Sequence, residues 1–408
     1  MQNSNKIFRL EGVVQHYAWG GREFIRTLLC RSNHEAKPFA EYWMGAHDNA
    51  PAEIFVSNGK KEKLNNVILK ESKHILGEKV FNEFGRLPYL LKILDVKDML
   101  SIQVHPDKKS AEKAFAEENK RGIALDAANR NYKDANHKPE LMLALSDFWL
   151  LHGFKQKEKL LQLLTDMPEL NFLSAVFQAE GYKSLYRKVM EMPQAEVNNS
   201  LQPLLDRIIP LYKKDSLPRD REDFWAARAA LTFNTAGSID RGIFSIYLFN
   251  LVHCKPGEAV FQAAGVPHAY LEGQNVEIMA NSDNVLRGGL TPKHVDVEEL
   301  MKHIKFEGID PNIIRGKKRN GLEEVYETPA RDFELSRFQF EHGQTASFTT
   351  STADIVFLNE GKVTIASEEN ELELASGEAA VIFSRVQVQL SADEKASLYR
   401  ASVPVSGL

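Results

Sequence analysis

Cysteine is scarce in this chain of 408 residues, which contains only Cys30 and Cys254. Two cysteines exclude a disulfide framework and are typical of a protein in a reducing compartment. Because both have apolar neighbours, we expect both thiols to be buried rather than nucleophilic. Long apolar runs are also missing, since no segment approaches the ~18 residues of a membrane span, and the N-terminal residues lack the apolar core of a secretion signal. We therefore expect a cytoplasmic protein with no membrane partner.

An excess of positive charge is lacking too. The chain has 51 Lys and Arg against 56 Asp and Glu, which gives a formal net charge of −5. This balance argues against a general nucleic-acid partner. The G-x-G-x-x-G, Walker A and G-x-S-x-G patterns do not occur. Their absence argues against a dinucleotide-binding fold, a P-loop nucleotide site and an α/β-hydrolase.

The period of the apolar residues predicts how the chain is organised. At ~150 residues per domain, the length predicts two or three domains. Residues 1–154 are dominated by strand and turn signals, apart from a helix predicted over 107–130. Residues 155–235 show helical spacing, and strand signals return from 236 onwards, where we expect 244–248 to be a strand. The regular short strands of the C-terminal part suggest a sandwich or jelly roll.

Three short segments carry candidate metal ligands. Gln103 and His105 are two residues apart in a predicted strand, so both side chains can point into one cavity. Glu140 begins an apolar strand, and a buried carboxylate must find a cation or a metal. His268 follows a Gly-Val-Pro turn. Taken singly, each has an ordinary structural explanation: an outer strand face, a surface ion pair with Lys138, or a satisfied core histidine. Together they offer two nitrogens and two oxygens, a set that suits Zn²⁺ or another divalent first-row metal.

A fourth segment carries a candidate anion anchor. Arg287 precedes two glycines and is followed by Lys293. Arginine binds phosphate through two parallel hydrogen bonds, although a solvated turn with two surface cations explains the segment equally well.

These segments together resemble the type I phosphomannose isomerases, which are zinc enzymes of the cupin class. The resemblance lies in eight pieces that occur in the family's order: 17–21, 40–47, 87–92, 100–107, 134–140, 255–259, 267–271 and 277–293. It implies a mainly β protein with two cupin-type jelly rolls and an inserted helical domain. The implied domains are a metal-binding jelly roll formed by 1–154 plus 236–305, a helical insertion over 155–235, and a C-terminal jelly roll over 306–408.

The resemblance also assigns roles to residues. It implies one Zn²⁺ per chain, held by Gln103, His105, Glu140 and His268. The implied substrate-binding residues are Trp19, Ser101, Lys92 and Lys293. We expect Arg287 to be a polarising cation and Lys138 or Glu277 to move the proton, with His47 as a further candidate base.

The implied reaction interconverts D-mannose 6-phosphate and D-fructose 6-phosphate by moving a proton between C1 and C2 through an enediol. The expected partner is therefore a small sugar phosphate, and we expect a monomer that acts in mannose metabolism and GDP-mannose biosynthesis. Two alternatives use the same fold. One is a metal-dependent dioxygenase, which would prefer iron and O₂, and the other is a sugar-binding regulatory protein without catalysis.

Overall fold

The computed structural model describes residues 6–56 and 59–404. Strands and short helices alternate at first: β1 (Ile7–Glu11), β2 (Val13–Gln15), α1 (Phe24–Leu28), β3 (Glu41–Gly45), β4 (Glu53–Phe55), β5 (Lys61–Lys63), α2 (Leu64–Lys70), α3 (Ser72–Leu76), α4 (Glu78–Phe84), β6 (Tyr89–Val96), β7 (Gln103–Val104), α5 (Lys108–Lys120), β8 (Glu140–Ala144) and β9 (Phe148–Phe154). Helices follow: α6 (Lys157–Asp166), a 3₁₀ turn (Asn171–Leu173), α7 (Ser174–Glu191), α8 (Gln194–Lys213), α9 (Glu222–Phe233) and α10 (Gly242–Leu248).

The remainder is almost entirely strand. Its elements are β10 (Phe249–Cys254), β11 (Glu258–Gln262), β12 (His268–Ala280), β13 (Leu286–Arg287), α11 (Val297–His303), β14 (Ile314–Arg315), β15 (Lys317–Lys318), β16 (Glu323–Tyr326), β17 (Glu334–Phe340), β18 (Gln344–Thr349), β19 (Asp354–Glu360), β20 (Lys362–Ala366), β21 (Glu371–Ala375), β22 (Ala379–Ile382), β23 (Gln387–Ala392) and β24 (Ala396–Ser402).

The long strand β12 joins two sheets into one barrel. Its first half pairs with β7 and β9, in the order β13-β7-β12-β9-β10, and its second half pairs with β6 and β8, in the order β14-β11-β8-β12-β6-β3-β2. The register shifts between Tyr270 and Glu272. Gly273 follows with φ +132°, and a Cβ there would lie 2.7 Å from the Asp147 carbonyl oxygen. A glycine is therefore needed where the strand bends from one sheet to the other.

The C-terminal part forms a second β unit, and the first strand of the chain takes part in it. A nine-stranded sheet has the order β15-β16-β17-β24-β19-β22-β1-β4-β5, and a four-stranded sheet has the order β18-β23-β20-β21. Apolar side chains from both sheets share one core, including Val356, Leu358, Val363, Leu390 and Leu398. The pairing of β1 with β22 ties the two ends of the described chain together.

The helical segment packs as its apolar spacing predicts. In α8, Leu201, Leu204, Leu205 and Ile208 are all buried. The helix continues to Lys213, so Pro210 lies inside its last turn instead of ending it. The helices share their core with the barrel residues Ile102, Val104 and Leu151. The predicted fold class, mainly β with jelly rolls and an inserted helical block, is confirmed.

Three local predictions were wrong. Residues 244–248 belong to helix α10, where every residue is buried. A short, continuous apolar run fits a buried helix as well as a buried strand, and Asp240 favours the helix by accepting a hydrogen bond from the Gly242 N–H at 2.7 Å. The helix predicted over 107–130 ends at Lys120. Cys254 is buried, as expected, but Cys30 is exposed.

Within the described ranges, no helix has the length and apolar character needed to cross a membrane.

Candidate metal centre and adjoining cleft

Three predicted ligands converge inside the barrel. His105 directly follows β7, whereas Glu140 begins β8 and His268 begins β12. All three are buried, and one ligand atom from each lies within 4.8 Å of the others. His105 Nε2 lies 3.5 Å from Glu140 Oε1, and His268 Nε2 lies 3.4 Å from Glu140 Oε2. The turn before His268 also holds the His105 main chain, because the Gly265 N–H donates to the His105 carbonyl at 2.9 Å.

The imidazole tautomers can be assigned from their partners. Nδ1 of His105 lies 2.8 Å from the Asn284 carbonyl oxygen, and Nδ1 of His268 lies 3.0 Å from that of Val266. A carbonyl oxygen only accepts hydrogen bonds, so each Nδ1 carries the proton in the neutral ring. Each Nε2 therefore turns a lone pair toward Glu140. This arrangement, in which the outer nitrogen is fixed by a main-chain carbonyl, is typical of metal-bound histidines.

The cluster fits a divalent cation. Two imidazole lone pairs and a carboxylate repel one another unless a positive charge lies among them. The Nε2 atom of His105 is buried and has no hydrogen-bond partner among the described residues. Ligand atoms about 2.0–2.1 Å from a tetrahedral zinc lie about 3.3 Å apart, close to the two distances above. Gln103, the fourth predicted ligand, lies directly across the β-ladder from His268 and lines the same small cavity.

Lys138 keeps Glu140 ionised. Lys138 Nζ lies 2.9 Å from Glu140 Oε1. Burial raises the pKa of Glu140, but the nearby charge of Lys138 opposes this effect, and the pKa lies well below its ordinary value. Burial lowers the pKa of His105 to about 4, so its imidazole is neutral and able to ligate at neutral pH.

A second buried cluster lies beside the first. Lys92 Nζ lies 3.0 Å from Glu277 Oε1 and 3.6 Å from Glu41 Oε2. The other Glu277 oxygen accepts a hydrogen bond from the Tyr270 hydroxyl at 2.8 Å. Burial lowers the pKa of Lys92, but Glu41 and Glu277 more than compensate and raise it. Burial raises the pKa of Glu277, although Lys92 opposes the shift. Glu41, which shares a strand face with Trp43, was not among the predicted site residues.

The remaining predicted site residues line a cleft of about 650 Å³ that opens next to this cluster. Its lining includes Trp19, Lys92, Ser101, Gln103, Lys138, Arg287 and Lys293. Arg287 lies directly across the β-ladder from Gln103, and burial lowers its pKa. In the described part of the chain, no carboxylate forms an ion pair with Arg287 or Lys293. Both cations can therefore receive an anionic ligand. Glu277 lines the smaller inner cavity instead, together with Glu140 and His268.

Two buried polar residues next to the ligands escaped the sequence analysis. His152 lies directly across from His268, and Gln262 lies directly across from Glu140. Burial and the nearby His268 lower the pKa of His152 to about 4, so its imidazole is neutral. No sequence motif marks either residue, because only the strand register places them beside ligands. His47, the further candidate base, contacts Asp283 at 3.2 Å.

A barrel that holds a buried His-Glu-His cluster beside a cationic cleft is typical of the metal-binding jelly-roll proteins. Comparison with known proteins narrows this class. Residues 7–157 match the family model "Phosphomannose isomerase type I, catalytic domain". Mannose-6-phosphate isomerase of Salmonella typhimurium is 38% identical over 92% of this chain and 94% of its own length. The enzyme of Rattus norvegicus is 33% identical over 97% of this chain and 98% of its own length.

Solved structures agree with the sequence relatives. Mannose 6-phosphate isomerase from Salmonella typhimurium, bound to substrate (f6p) and zinc, superposes with a TM-score of 0.87 at 35% identity. The match covers 98% of this chain and all of that one. A zinc-bound mannose 6-phosphate isomerase structure gives the same TM-score, identity and coverage. The chain belongs to the mannose-6-phosphate isomerase family.

Proposed function

We propose that this chain is a zinc-dependent isomerase that interconverts D-mannose 6-phosphate and D-fructose 6-phosphate. The observation that carries the proposal is the buried His105–Glu140–His268 cluster. Its lone pairs converge beside a cleft whose two cations, Arg287 and Lys293, form no ion pair with a carboxylate of residues 6–56 or 59–404. The family relationship supports the same reaction. A dioxygenase or a sugar-binding regulator would not need a buried carboxylate with a raised pKa, such as Glu277, next to the metal centre.

The ligand set proposed for one Zn²⁺ per chain is Gln103, His105, Glu140 and His268. A bound divalent cation supplies Lewis-acid polarisation of a substrate oxygen, which makes the proton on the neighbouring carbon more acidic. Lys138 holds Glu140 in its ionised form through their ion pair. The carbonyl groups of Asn284 and Val266 fix the two imidazoles in the tautomer that a cation requires.

Proton transfer between C1 and C2 is assigned to Glu277 in preference to Lys138. Lys138 is already paired with the ligand Glu140, and its ammonium would have to give up that contact to act as a base. The carboxyl group of Glu277 is buried beside the ligands and has a raised pKa, which suits a group that accepts a proton and returns it. Lys92 and the Tyr270 hydroxyl hold its two oxygens in place.

The cleft residues bind and orient the sugar phosphate. Arg287 neighbours the ligand Gln103 and polarises the carbonyl group during proton transfer. Lys293 and Ser101 are placed to hold the phosphate, and Trp19 supplies an aromatic wall. Lys92 also borders the cleft, but its two carboxylate partners favour a role in positioning Glu277 over direct contact with phosphate. Fixing the phosphate holds the reacting carbons over the base.

The cellular setting is part of the proposal. We place the protein in the cytoplasm, as a monomer, in mannose metabolism and GDP-mannose biosynthesis, with a sugar phosphate as its partner and neither nucleic acid nor membrane. Two free cysteines and a mildly acidic charge balance support this setting.

A coupled assay tests the proposed reaction. The purified protein should produce fructose 6-phosphate from mannose 6-phosphate, lose this activity on chelation and regain it with Zn²⁺. Mannose without phosphate serves as the control substrate and should be turned over far more slowly, because it cannot use the cationic cleft. If a folded, zinc-loaded preparation produced no fructose 6-phosphate, the proposed function would be wrong.

A further inference from the structure

Two buried polar side chains lie on the far side of the metal ligands. In one sheet the strand order places Arg287, Gln103, His268 and His152 in one row. Residues directly opposite on antiparallel strands point to the same face, so His152 continues the row inside the barrel beyond His268, away from the cleft.

The other sheet repeats this arrangement. Gln262 on β11 lies directly across from Glu140 on β8. The cleft residue Lys92 lies on β6, which follows β12 on the other side of β8, so Gln262 and Lys92 lie on opposite sides of Glu140. Gln262 is fully buried, and its side chain points to the same face as that of Glu140. The imidazole of His152 lies close to the main chain of Phe261, the residue before Gln262. His152 and Gln262 therefore each lie beside a ligand, on the side away from the cleft.

Both side chains have unused hydrogen-bonding capacity. Neither polar atom of the Gln262 carboxamide has a hydrogen-bond partner among the described residues, and neither nitrogen of His152 has a well-aligned one there, although the ring lies near the Phe261 main chain. Buried polar atoms that lack protein partners gather ordered water, and four such atoms are enough to bind one. Glu140 can still accept from them, because an ionised carboxylate accepts up to about four hydrogen bonds.

We propose that His152 and Gln262 form a polar layer behind the metal site, which positions the ligands His268 and Glu140 through hydrogen bonds carried by buried water. They are positioning residues, since neither touches the cleft. This inference rests on the proposed zinc site, and it adds two residues that set the affinity of that site for zinc. Residues that orient metal ligands in this way typically change metal affinity by about 10- to 100-fold when they are removed.

The test compares apolar replacements of similar size with a matched control. His152→Leu and Gln262→Met remove the polar atoms with little change in volume. Asn275→Leu is the control because Asn275 is also fully buried, with both carboxamide atoms unpartnered, and lies on the same strand as His268. Its cross-strand neighbours are Leu94 and Ala144 instead of ligands. His152→Gln retains a donor and an acceptor and serves as the rescue variant.

Zinc affinity is measured by competition with a chelating indicator, and the stability of the metal-free proteins by urea unfolding. His152→Leu and Gln262→Met should each weaken zinc binding by about 10- to 100-fold, while Asn275→Leu and His152→Gln stay within about threefold of the parent. The metal-free variants should be at least as stable as the parent, because an apolar side chain leaves no polar atom unpaired.

Unchanged zinc affinity in both apolar variants would overturn the proposal. An equal loss in Asn275→Leu would also overturn it, since the effect would then be a general consequence of core substitution. Loss of stability in the metal-free variants together with loss of affinity would indicate a purely structural role and count against positioning. Failure of the proposed function looks different, because the unmodified protein would then either bind no zinc or, when loaded with zinc, produce no fructose 6-phosphate.

Discussion

At the scale of single residues, the site contains two kinds of cationic side chain. Some are paired with a carboxylate, and others face the cleft and can bind an anionic ligand. Lys92 and Lys138 are each paired with a buried carboxylate. Arg287 and Lys293 face the cleft, and neither has a carboxylate partner in the part of the chain that the structure describes. The mildly acidic protein therefore offers a local positive region for an anionic substrate. The paired lysines keep Glu140 and Glu277 in the barrel interior, where an unpaired carboxylate would be costly.

Glu277 and Arg287 are expected to act in turnover without holding the metal. Glu277→Gln keeps the shape and the contact with Tyr270 but removes the proton acceptor, and Arg287→Ala removes the polarising charge. Each variant should retain zinc and lose about 10²-fold or more in kcat. Zinc content and kcat are measured on the same preparations, with Lys138→Gln as the comparison. A fully active Glu277→Gln would move the proton-transfer role to another residue.

The four predicted ligands have ordinary structural explanations when taken singly, and only their joint occurrence with the other family-like segments makes them recognisable in the sequence. Three of them come together in the structure, and the register places Gln103 on the same face. His152 and Gln262 could not be found this way. A histidine or a glutamine inside an apolar strand carries no mark of its neighbours, and pairing across strands distant in sequence decides what each one faces.

At the scale of secondary-structure elements, helix α11 shows how a short helix is fixed to the barrel. Asp296 caps its first turn by accepting from the Glu299 N–H at 3.0 Å. The Glu299 carboxylate accepts hydrogen bonds from the Tyr132 hydroxyl at 2.6 Å and from Lys302 at 2.9 Å, and it lies 3.3 Å from His303 Nε2. The contact with His303 contributes most, and together these contacts lower the pKa of Glu299 to about 2.

The lowered pKa of Glu299 predicts an acid-dependent loss of stability. The ionised carboxylate stabilises the fold above its unfolded pKa of 4.5, and this contribution is lost as the pH falls from there toward about 2. Glu299→Gln removes the contribution at every pH. The difference in the free energy of unfolding between parent and variant should therefore be largest at neutral pH and shrink below pH ~4.5. Urea unfolding across this pH range measures it, and a constant difference would contradict the assignment.

Elements with a clear period were predictable, whereas the fully buried helix α10 was not. The amphipathic α8 follows its apolar spacing, whereas α10 is apolar all round and was assigned to a strand. Its neighbour β10 begins at the next residue, Phe249, so a helix and a strand share one continuous apolar run. Local sequence cannot divide such a run, because burial on every side removes the polar positions that reveal the period.

At the scale of the whole molecule, the two β units are bound together by strands and by buried polar contacts. β1 pairs with β22, and the Tyr89 hydroxyl of the barrel strand β6 lies within hydrogen-bond distance of the carbonyls of Ala353 and Ala401, at 2.8 and 3.0 Å. The domain boundaries drawn along the sequence stay a prediction. Strands from 1–154 and from 306–408 pair in one sheet. Boundaries drawn between consecutive segments of the sequence cannot show such pairing.

Tyr89→Phe is expected to weaken this connection. The change removes the single hydroxyl donor that two buried carbonyl groups share and should lower the free energy of unfolding by about 1–3 kcal/mol. Tyr212→Phe, at a partly buried position on α8, is the control and should have a smaller effect. Urea unfolding followed by tryptophan fluorescence and by circular dichroism measures both variants. Equal stabilities for Tyr89→Phe and the parent would show that the hydroxyl does not hold the two units together.

The most direct test of the account is turnover of mannose 6-phosphate as a function of zinc bound per chain. Metal-free protein is titrated with Zn²⁺, and bound metal and initial rate are recorded at each step. The account predicts negligible turnover without metal, a linear rise, and a plateau at one zinc per chain, with His105→Ala binding little zinc and staying inactive. Turnover by the metal-free protein at the rate of the loaded enzyme, or a fully loaded protein that does not turn over the substrate, would contradict it.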